Sequence, residues 1–350
     1  MKPQSWLWPL SIPFQAGVQV RNRLYDLGAL RSFEVGVPVI SVGNITVGGT
    51  GKTPFVLLLI EHIKRLKIGK KPVIAVVSRG YGGTGKGTTI VSNGKRTLSD
   101  PFTSGDEPYM LAEAGTGAIV ICDRDRVMGA RLAVEQFKAD IVILDDGFQH
   151  RRLKRDLDIV LLDGTNPLGN RLLLPAGYLR EPVSSLKRAG HIVLSKCSGT
   201  DEEIRQRCSD LSKLFDKPVA ATKLIPKYWR RVGRAELFDA SQIAGKRVFA
   251  FAGIANPESF FETVVSLGAE LVGELALPDH CNFGKFWVDK IARSFVLSRA
   301  EWMVMTAKDA VKLPPILNLL PAYSLDIQHQ FVAGEETFDQ HLGKVLATKS

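Results

Sequence analysis

The chain has few of the residues that build disulfide frameworks or zinc modules. Its four cysteines, Cys122, Cys197, Cys208 and Cys281, lie far apart and form no C-x-x-C pair. That spacing excludes a cysteine-rich zinc site and fits reduced thiols in a cytosolic protein better than a disulfide frame. No apolar run approaches the roughly 18 residues of a spanning helix, so none is expected. Internal repeats and low-complexity tracts are also absent. Acidic excess is missing too: the net charge is +10 and the pI near 9.4, which favours an anionic partner. Nucleic acid, a phosphorylated substrate and an anionic membrane surface all satisfy that balance. With 45% hydrophobic residues over 350 positions, the chain can form one large or two medium domains, each with a core.

The N-terminal stretch SWLWPLSIPF is apolar and aromatic, but Pro9 and Pro13 interrupt it and no small-residue cleavage site follows. A secretory signal is therefore not expected. From Phe14 onward the pattern predicts a helix within an N-terminal segment of about residues 5–30. Its narrow polar face carries Gln15, Gln19, Asn22, Arg23 and Asp26, while Phe14, Val18, Val20, Leu24, Tyr25 and Leu27 cover most of the rest. Two placements fit so apolar a helix: packed on the protein's own core, or buried among lipid headgroups with Arg21, Arg23 and Arg31 along it.

Short β-branched runs alternate with helical patterns, which predicts an α/β fold with a mostly parallel sheet and helices on both faces. Strands are expected at 38–42, 72–78, 118–122, 141–145, 159–163 and 191–195, with helices at 52–67, 126–137 and 201–215 and over DEPYMLAEA. A hairpin is expected in TTIVSNGKRTL, turning at Asn93 and Gly94. Residues 1–216 read as the first domain and 217–246, with its basic-aromatic KYWRRVGR, as a connector. Residues 247–350 read as a second, smaller α/β unit, with strands at 247–253 and 302–306 and helices near 257–267 and 285–298.

Chemistry enters at ITVGGTGKTP. A phosphate loop needs a strand, a glycine turn and a helix in that order, so that backbone N–H groups and a helix N-terminus converge on an anion. The strand ending at Val42, the turn Thr46, Val47, Gly48, Gly49, Thr50, Gly51, and the helix opened by Lys52 and Thr53 supply that order. Thr46 replaces the usual first glycine. Pro54 falls in the first helical turn, where no N–H is needed. On this reading Lys52 reaches the β- and γ-phosphates of ATP, and the Thr53 hydroxyl faces Mg²⁺. Asp145 and Asp146, leaving the apolar strand IVILD, are the expected metal-side carboxylates. Asp106 in SGDEP suits either a helix start or a catalytic base, and His280 in LPDH either a surface residue or its assistant. Arg79, His150, Arg151 and Arg152 follow strands, as solvated charge or as contacts for an anionic substrate.

Taken together, SVGNITVGGTGKTP, SRGYGG, GDEP, DDGFQHR, LLPAGYLREP, AGIANPESFF, LPDH and TAKDAVKL resemble the lipid A 4′-kinase (tetraacyldisaccharide 4′-kinase) family of Gram-negative bacteria. The resemblance runs from about residue 38 to 313. It implies ATP- and Mg²⁺-dependent phosphorylation of the 4′-hydroxyl of a tetraacyl glucosamine disaccharide 1-phosphate. The enzyme would be peripheral, on the cytoplasmic face of the inner membrane, with no nucleic acid as partner. It implies a P-loop NTPase-like α/β/α unit and a second one, joined by a two-stranded connector. Lys52 and Thr53 match the family's loop lysine and metal-binding threonine, Asp145 and Asp146 its acidic pair, Asp106 its catalytic aspartate and His280 the histidine assisting it. Thr46 becomes expected, and Arg79, His150, Arg151 and Asn170 are candidates for substrate contact. Tyr178 and the Cys281-Asn282 pair depart from the family pattern. Two other classes remain open on sequence: a membrane-recruited P-loop ATPase acting as a switch, and a nucleic-acid-binding module resting on charge alone.

Overall fold

A computed structural model describes residues 5–66, 71–234, 236–279 and 281–348. The chain forms two compact units, Met1–Leu224 with His329–Ser350, and Ile225–Gln328. In chain order the first unit contains α1 (Trp8–Asp26), β1 (Val39–Gly43), α2 (Lys52–Arg65), β2 (Ile74–Ser78), β3 (Thr89–Asn93), α3 (Pro101–Ser104) and α4 (Asp106–Glu113). It continues with β4 (Ile119–Cys122), α5 (Arg126–Phe137), β5 (Ile141–Asp145), β6 (Leu157–Asp163), β7 (His191–Ser195) and α6 (Asp201–Phe215). Strand β8 (Val219–Arg231) carries the chain onward into the second unit. There follow β9 (Leu237–Asp239), β10 (Arg247–Ala252), α7 (Pro257–Ser266), β11 (Glu270–Ala276), α8 (Lys285–Ser298), β12 (Trp302–Thr306) and α9 (Ala307–Ala310). Strand β13 (Ala322–Ala333) returns to the first unit, where α10 (Glu335–Ala347) ends the chain.

The sheet of the first unit runs β8-β7-β6-β1-β5-β2-β4-β3, parallel except for β3 on β4. Its strands read as continuous apolar runs because both faces are covered. Successive side chains go to opposite faces. Ile40, Val76 and Ile143 meet Phe55, Leu59, Ile63, Leu111 and Phe338, from α2, α4 and α10. Val39, Val77 and Val142 meet Val127, Ala130 and Ala133 of α5. Strand β1 lies between β5 and β6, parallel to both, so the loop after it opens into the crevice at their C-terminal ends. In open parallel sheets that crevice is where ligands bind.

In the second unit the order is β11-β10-β12-β13, all parallel, with α7 over one face and α8 over the other. Unlike the sequence-based boundaries, the structure returns His329–Ser350 to the first unit. The cause is the apolar stripe Phe338, Leu342 and Leu346 on α10, which fills the core beside Ile63 and Phe55. At about 1.5–3 kcal/mol for each fully buried large apolar side chain, that stripe decides the placement. The expected hairpin is only half formed. Asn93 Oδ1 accepts from the amides of Lys95 and Arg96, making the turn, but the return is a single bridge between Ser92 and Thr97, and β3 takes β4 as its strand partner. Helix α1 begins at Trp8, earlier than the prolines suggested. Pro9 sits in the first turn, where no N–H is needed, and Pro13 forfeits one helical hydrogen bond.

Candidate active site

The phosphate loop has the expected order: β1, a turn with Gly48 at φ 111° and Gly51 at φ 76°, then α2 starting at Lys52. Gly51 is left-handed, and a Cβ there would meet His329 Nε2 at 2.9 Å, so no other residue fits without rearrangement. Around the turn, Asn44 Nδ2 donates to Thr50 Oγ1 at 3.1 Å, the Val47 amide to the Tyr178 carbonyl at 2.7 Å, and the Arg180 amide to the Ile45 carbonyl at 2.7 Å. The segment Tyr178–Arg180 therefore fixes the entrance of the loop where a first glycine would otherwise bend it.

The acidic pair lies beside this loop because β5 is the parallel neighbour of β1, with Asp145 in register with Val42. Asp145 is fully buried. Its Oδ2 accepts from Ser78 Oγ at 3.2 Å, whereas Oδ1 has no hydrogen-bond partner among the described residues. Burial, reinforced by Glu107, pushes its carboxyl up to about 7. Asp146 sits at positive φ in the turn that follows. Lys52 Nζ is 3.5 Å from its Oδ1, and Arg180 Nη1 is 2.9 Å from its Oδ2. Burial raises its carboxyl, but Lys52 and Arg180 outweigh this and hold it below its ordinary value. An orphaned, buried carboxylate oxygen next to a second carboxylate and the hydroxyl-bearing start of α2 is a hard-oxygen donor set of the kind Mg²⁺ takes.

Asp106 opens α4, placed by the glycine-rich segment after β2. The amides of Thr84 and Gly85 donate to the carbonyls of Phe102 and Thr103, and Asp100 caps α3 through the Thr103 amide. Arg79 is exposed at the end of β2. His150 Nε2 is buried without a partner among the described residues, and burial together with Arg126 lowers the ring to about 4. Arg151 turns away from the loop: its guanidinium donates to the Asn22 carbonyl at 2.9 Å and to Asp26 at 2.7 Å, holding α1. Arg152 pairs with Asp125 at 2.5 Å. Asn170 shapes its own loop, accepting from the Leu172 amide at 3.2 Å. His280 lies outside the described residues. Within the second unit its motif joins two others: a Cβ at Gly253 would meet Asp309 Oδ1 at 2.9 Å and the Pro278 carbonyl at 3.3 Å. Gly253, Pro278 and Asp309 thus converge beyond the C-terminal ends of β10, β11 and β12.

Sequence reasoning missed three groups. Arg126 is buried at the start of α5, and its charge is felt by both Asp145 and Asp146. An arginine at a helix N-terminus opposes the helix dipole, and that anomaly was a readable signal. Glu107, beside Asp106, acts electrostatically on Asp145. Arg180, in LREP, pairs with Asp146.

Helix α1 has the reverse of ordinary polarity. Its buried residues are Ser11 and Asn22. Ser11 Oγ donates to the Leu173 carbonyl at 2.9 Å, and Asn22 Nδ2 to Glu181 Oε2 at 2.9 Å. The apolar side faces out, with Trp6 73% and Leu27 72% exposed and Trp8, Leu10, Ile12, Val20 and Leu24 beside them. This disposes of a helix packed through its apolar face on the protein's own core.

The family model described as tetraacyldisaccharide-1-P 4′-kinase, LpxK, matches residues 3–347. The chain belongs to this family. Among similar proteins, a tetraacyldisaccharide 4′-kinase of Geobacter metallireducens is 38% identical over 338 residues, 96% of this chain and 96% of its own. One from Syntrophus aciditrophicus is 42% identical over 336 residues, 91% of this chain and 87% of its own. The crystal structure of LpxK from Aquifex aeolicus in complex with ATP has a TM-score of 0.79 to this chain, at 31% identity, covering 98% of this chain and 99% of that one. The kinase is thus a lipid kinase of P-loop type, as the motifs implied. Family membership sets aside the switch-protein and nucleic-acid readings.

Proposed function

We propose that this kinase transfers the γ-phosphoryl group of ATP to the 4′-hydroxyl of a tetraacyl glucosamine disaccharide 1-phosphate while resting on the cytoplasmic face of the inner membrane. The observation that carries the site reading is the cluster of Lys52, Asp146 and the orphaned Asp145 oxygen at the mouth of the phosphate loop. Backbone amides of the turn and Lys52 bind the phosphates. Thr53, Asp145 and Asp146 would hold Mg²⁺, which when bound neutralises charge on the phosphate oxygens. Asp106 takes the proton of the 4′-hydroxyl as the sugar oxygen bonds to the γ-phosphorus and the bond to the β-phosphate oxygen breaks, releasing ADP. Such a transfer needs positioning and charge stabilisation more than covalent help. Arg79, exposed just after β2, suits the anionic groups of the sugar, while His150 lies in the loop between β5 and β6 with a neutral ring.

Among the described residues no helix is long and apolar enough to cross a membrane. The outward apolar face of α1, with the net positive charge, instead suits a peripheral position in the headgroup region, where acylated substrate resides. The mechanism is tested by Asp106→Ala: turnover falls by at least about a hundred-fold with ATP binding retained, the size of a general-base contribution. Near-normal turnover removes Asp106 from the reaction.

A further inference from the structure

The phosphate loop is held from behind by a set of donors that lie outside all of the sequence motifs quoted above. Ser195 Oγ donates to the Thr50 carbonyl at 2.8 Å, and the Lys196 ammonium donates to the Gly49 carbonyl. His329 Nε2 lies 2.8 Å from the Gly51 carbonyl, which also accepts from the Phe55 amide of α2 at 3.1 Å. Three successive peptides thus have their carbonyls pinned by groups from the end of β7 and from β13. In a trans peptide the carbonyl and the following N–H point in opposite directions. The amides of Thr50, Gly51 and Lys52 are therefore aimed away from these elements, into the concavity of the turn.

His329 is the rigid member of the set. A carbonyl only accepts, so the ring proton is on Nε2, and Nδ1 must accept from Thr222 Oγ1 at 2.8 Å. The ring is buried and stands edge-on to Phe55 of α2, with centroids 5.4 Å apart. Burial, with Lys196 nearby, lowers it to about 4 despite the Gly51 contact, so the ring stays neutral through the physiological range. Lys196, by contrast, is partly exposed on a flexible stem.

We propose that His329 is a positioning residue for nucleotide binding: through its Nε2–H bond to Gly51 it fixes the Gly51–Lys52 peptide so that the Lys52 amide faces the phosphates of ATP. The inference rests on the reading of Gly48–Thr53 as the phosphate loop. Its place in the chain adds to the argument. His329 is where β13 rejoins the first unit and Thr222 is near the point where β8 leaves it, so the crossing strands and the loop share one hydrogen-bonded chain.

The test compares wild type, His329→Phe, His329→Gln and Lys52→Ala by calorimetric titration with Mg-ATP, by steady-state kinetics, and by melting without nucleotide. His329→Phe keeps a ring against Phe55 but loses the donor. ATP affinity is expected to fall about ten-fold, with KM for ATP rising more than kcat drops. His329→Gln restores an N–H toward Gly51, and affinity is expected to return to within about three-fold of wild type. Equal affinity in wild type and His329→Phe, with Lys52→Ala weakened, overturns the proposal alone. Undiminished ATP binding by Lys52→Ala overturns the phosphate-loop reading and this proposal with it. Should His329→Phe lose its fold, Thr222→Val decides, since it leaves the ring in place but frees its orientation. Lowered ATP affinity there supports the role, and wild-type affinity contradicts it.

Discussion

Lys52 Nζ lies 3.5 Å from Asp146 Oδ1, so the loop's cation is paired with the acid that follows β5. Asp146 keeps Arg180 as a second partner at 2.9 Å, which leaves Lys52 able to exchange its carboxylate for phosphate without stranding a negative charge. Truncating Lys52 to alanine is accordingly expected to reduce ATP affinity by at least about a hundred-fold, as loss of a charged contact at a partly enclosed site. Arg180→Ala is expected to weaken ATP binding by a smaller factor, because Asp146 then holds Lys52 more tightly. Nucleotide titration of the two variants checks the order.

Gly43 ends β1 against the turn after β5. A Cβ added there would lie 2.5 Å from Phe148 Cβ and 2.8 Å from the Phe148 amide nitrogen. Relief has to come from backbone in the segment that carries Asp145 and Asp146. Gly43→Ala is therefore expected to cost about 1–3 kcal/mol of stability by overpacking. Activity should fall further than the loss of folded protein explains. Melting curves and kcat measured on the folded fraction separate the two effects.

The outward face of α1 makes its membrane role separable from stability. Trp8, Leu10 and Ile12 are exposed, so replacing all three with serine removes little internal packing. The melting temperature is expected to stay within a few degrees of wild type. Partition into anionic phospholipid vesicles should drop by at least about a hundred-fold, since burying each such side chain in an apolar phase is worth roughly 1.5–3 kcal/mol. Sedimentation with vesicles measures the second quantity, and unchanged partition contradicts the anchor.

Glu181 ties that helix to the rest of the unit. Fully buried, it accepts from Asn22 at 2.9 Å and Arg188 at 2.9 Å, and Arg188 stacks over Phe148 at 4.4 Å from the ring centroid. Burial raises its carboxyl, but Arg188 and Asn22 prevail and bring it below its ordinary 4.5. A lowered acid contributes stability that is complete above 4.5 and is lost as pH falls through the folded-state value. The melting difference between wild type and Glu181→Gln is thus expected to be large at pH 7 and to shrink as pH falls from 4.5 through the lower folded-state value. Glu181→Ala, which strands Arg188, should cost about 3–5 kcal/mol at neutral pH.

Local pattern revealed a good part of this molecule, and the remainder depended on contacts distant in sequence. The phosphate loop was readable because strand, glycines and lysine are contiguous, and the parallel sheet because fully buried strands are unbroken apolar runs. The turn at Asn93 was readable, but its long-range pairing with β4 was not. Strand β13 alternates Tyr323, Leu325, Ile327, His329 and Phe331, but no strand was expected there, and nothing local says that it leaves one unit for the other. His329 and Gly51 are 278 residues apart, and no spacing rule connects them. The polarity of α1 was visible as a pattern, whereas the buried side was fixed by Glu181 and the Leu173 carbonyl, far along the chain.

The central claim is that this chain transfers phosphate to a lipid hydroxyl, with Lys52 and the acidic pair at the reacting end of ATP. The most direct measurement incubates the protein with ATP labelled in the γ-phosphate and tetraacyl disaccharide 1-phosphate in mixed micelles, with Lys52→Ala as control, then locates the label. Label at the 4′ position of the disaccharide with wild type, and none with the variant, is the predicted result. Label released only as inorganic phosphate, or lipid labelling undiminished in Lys52→Ala, would contradict the account.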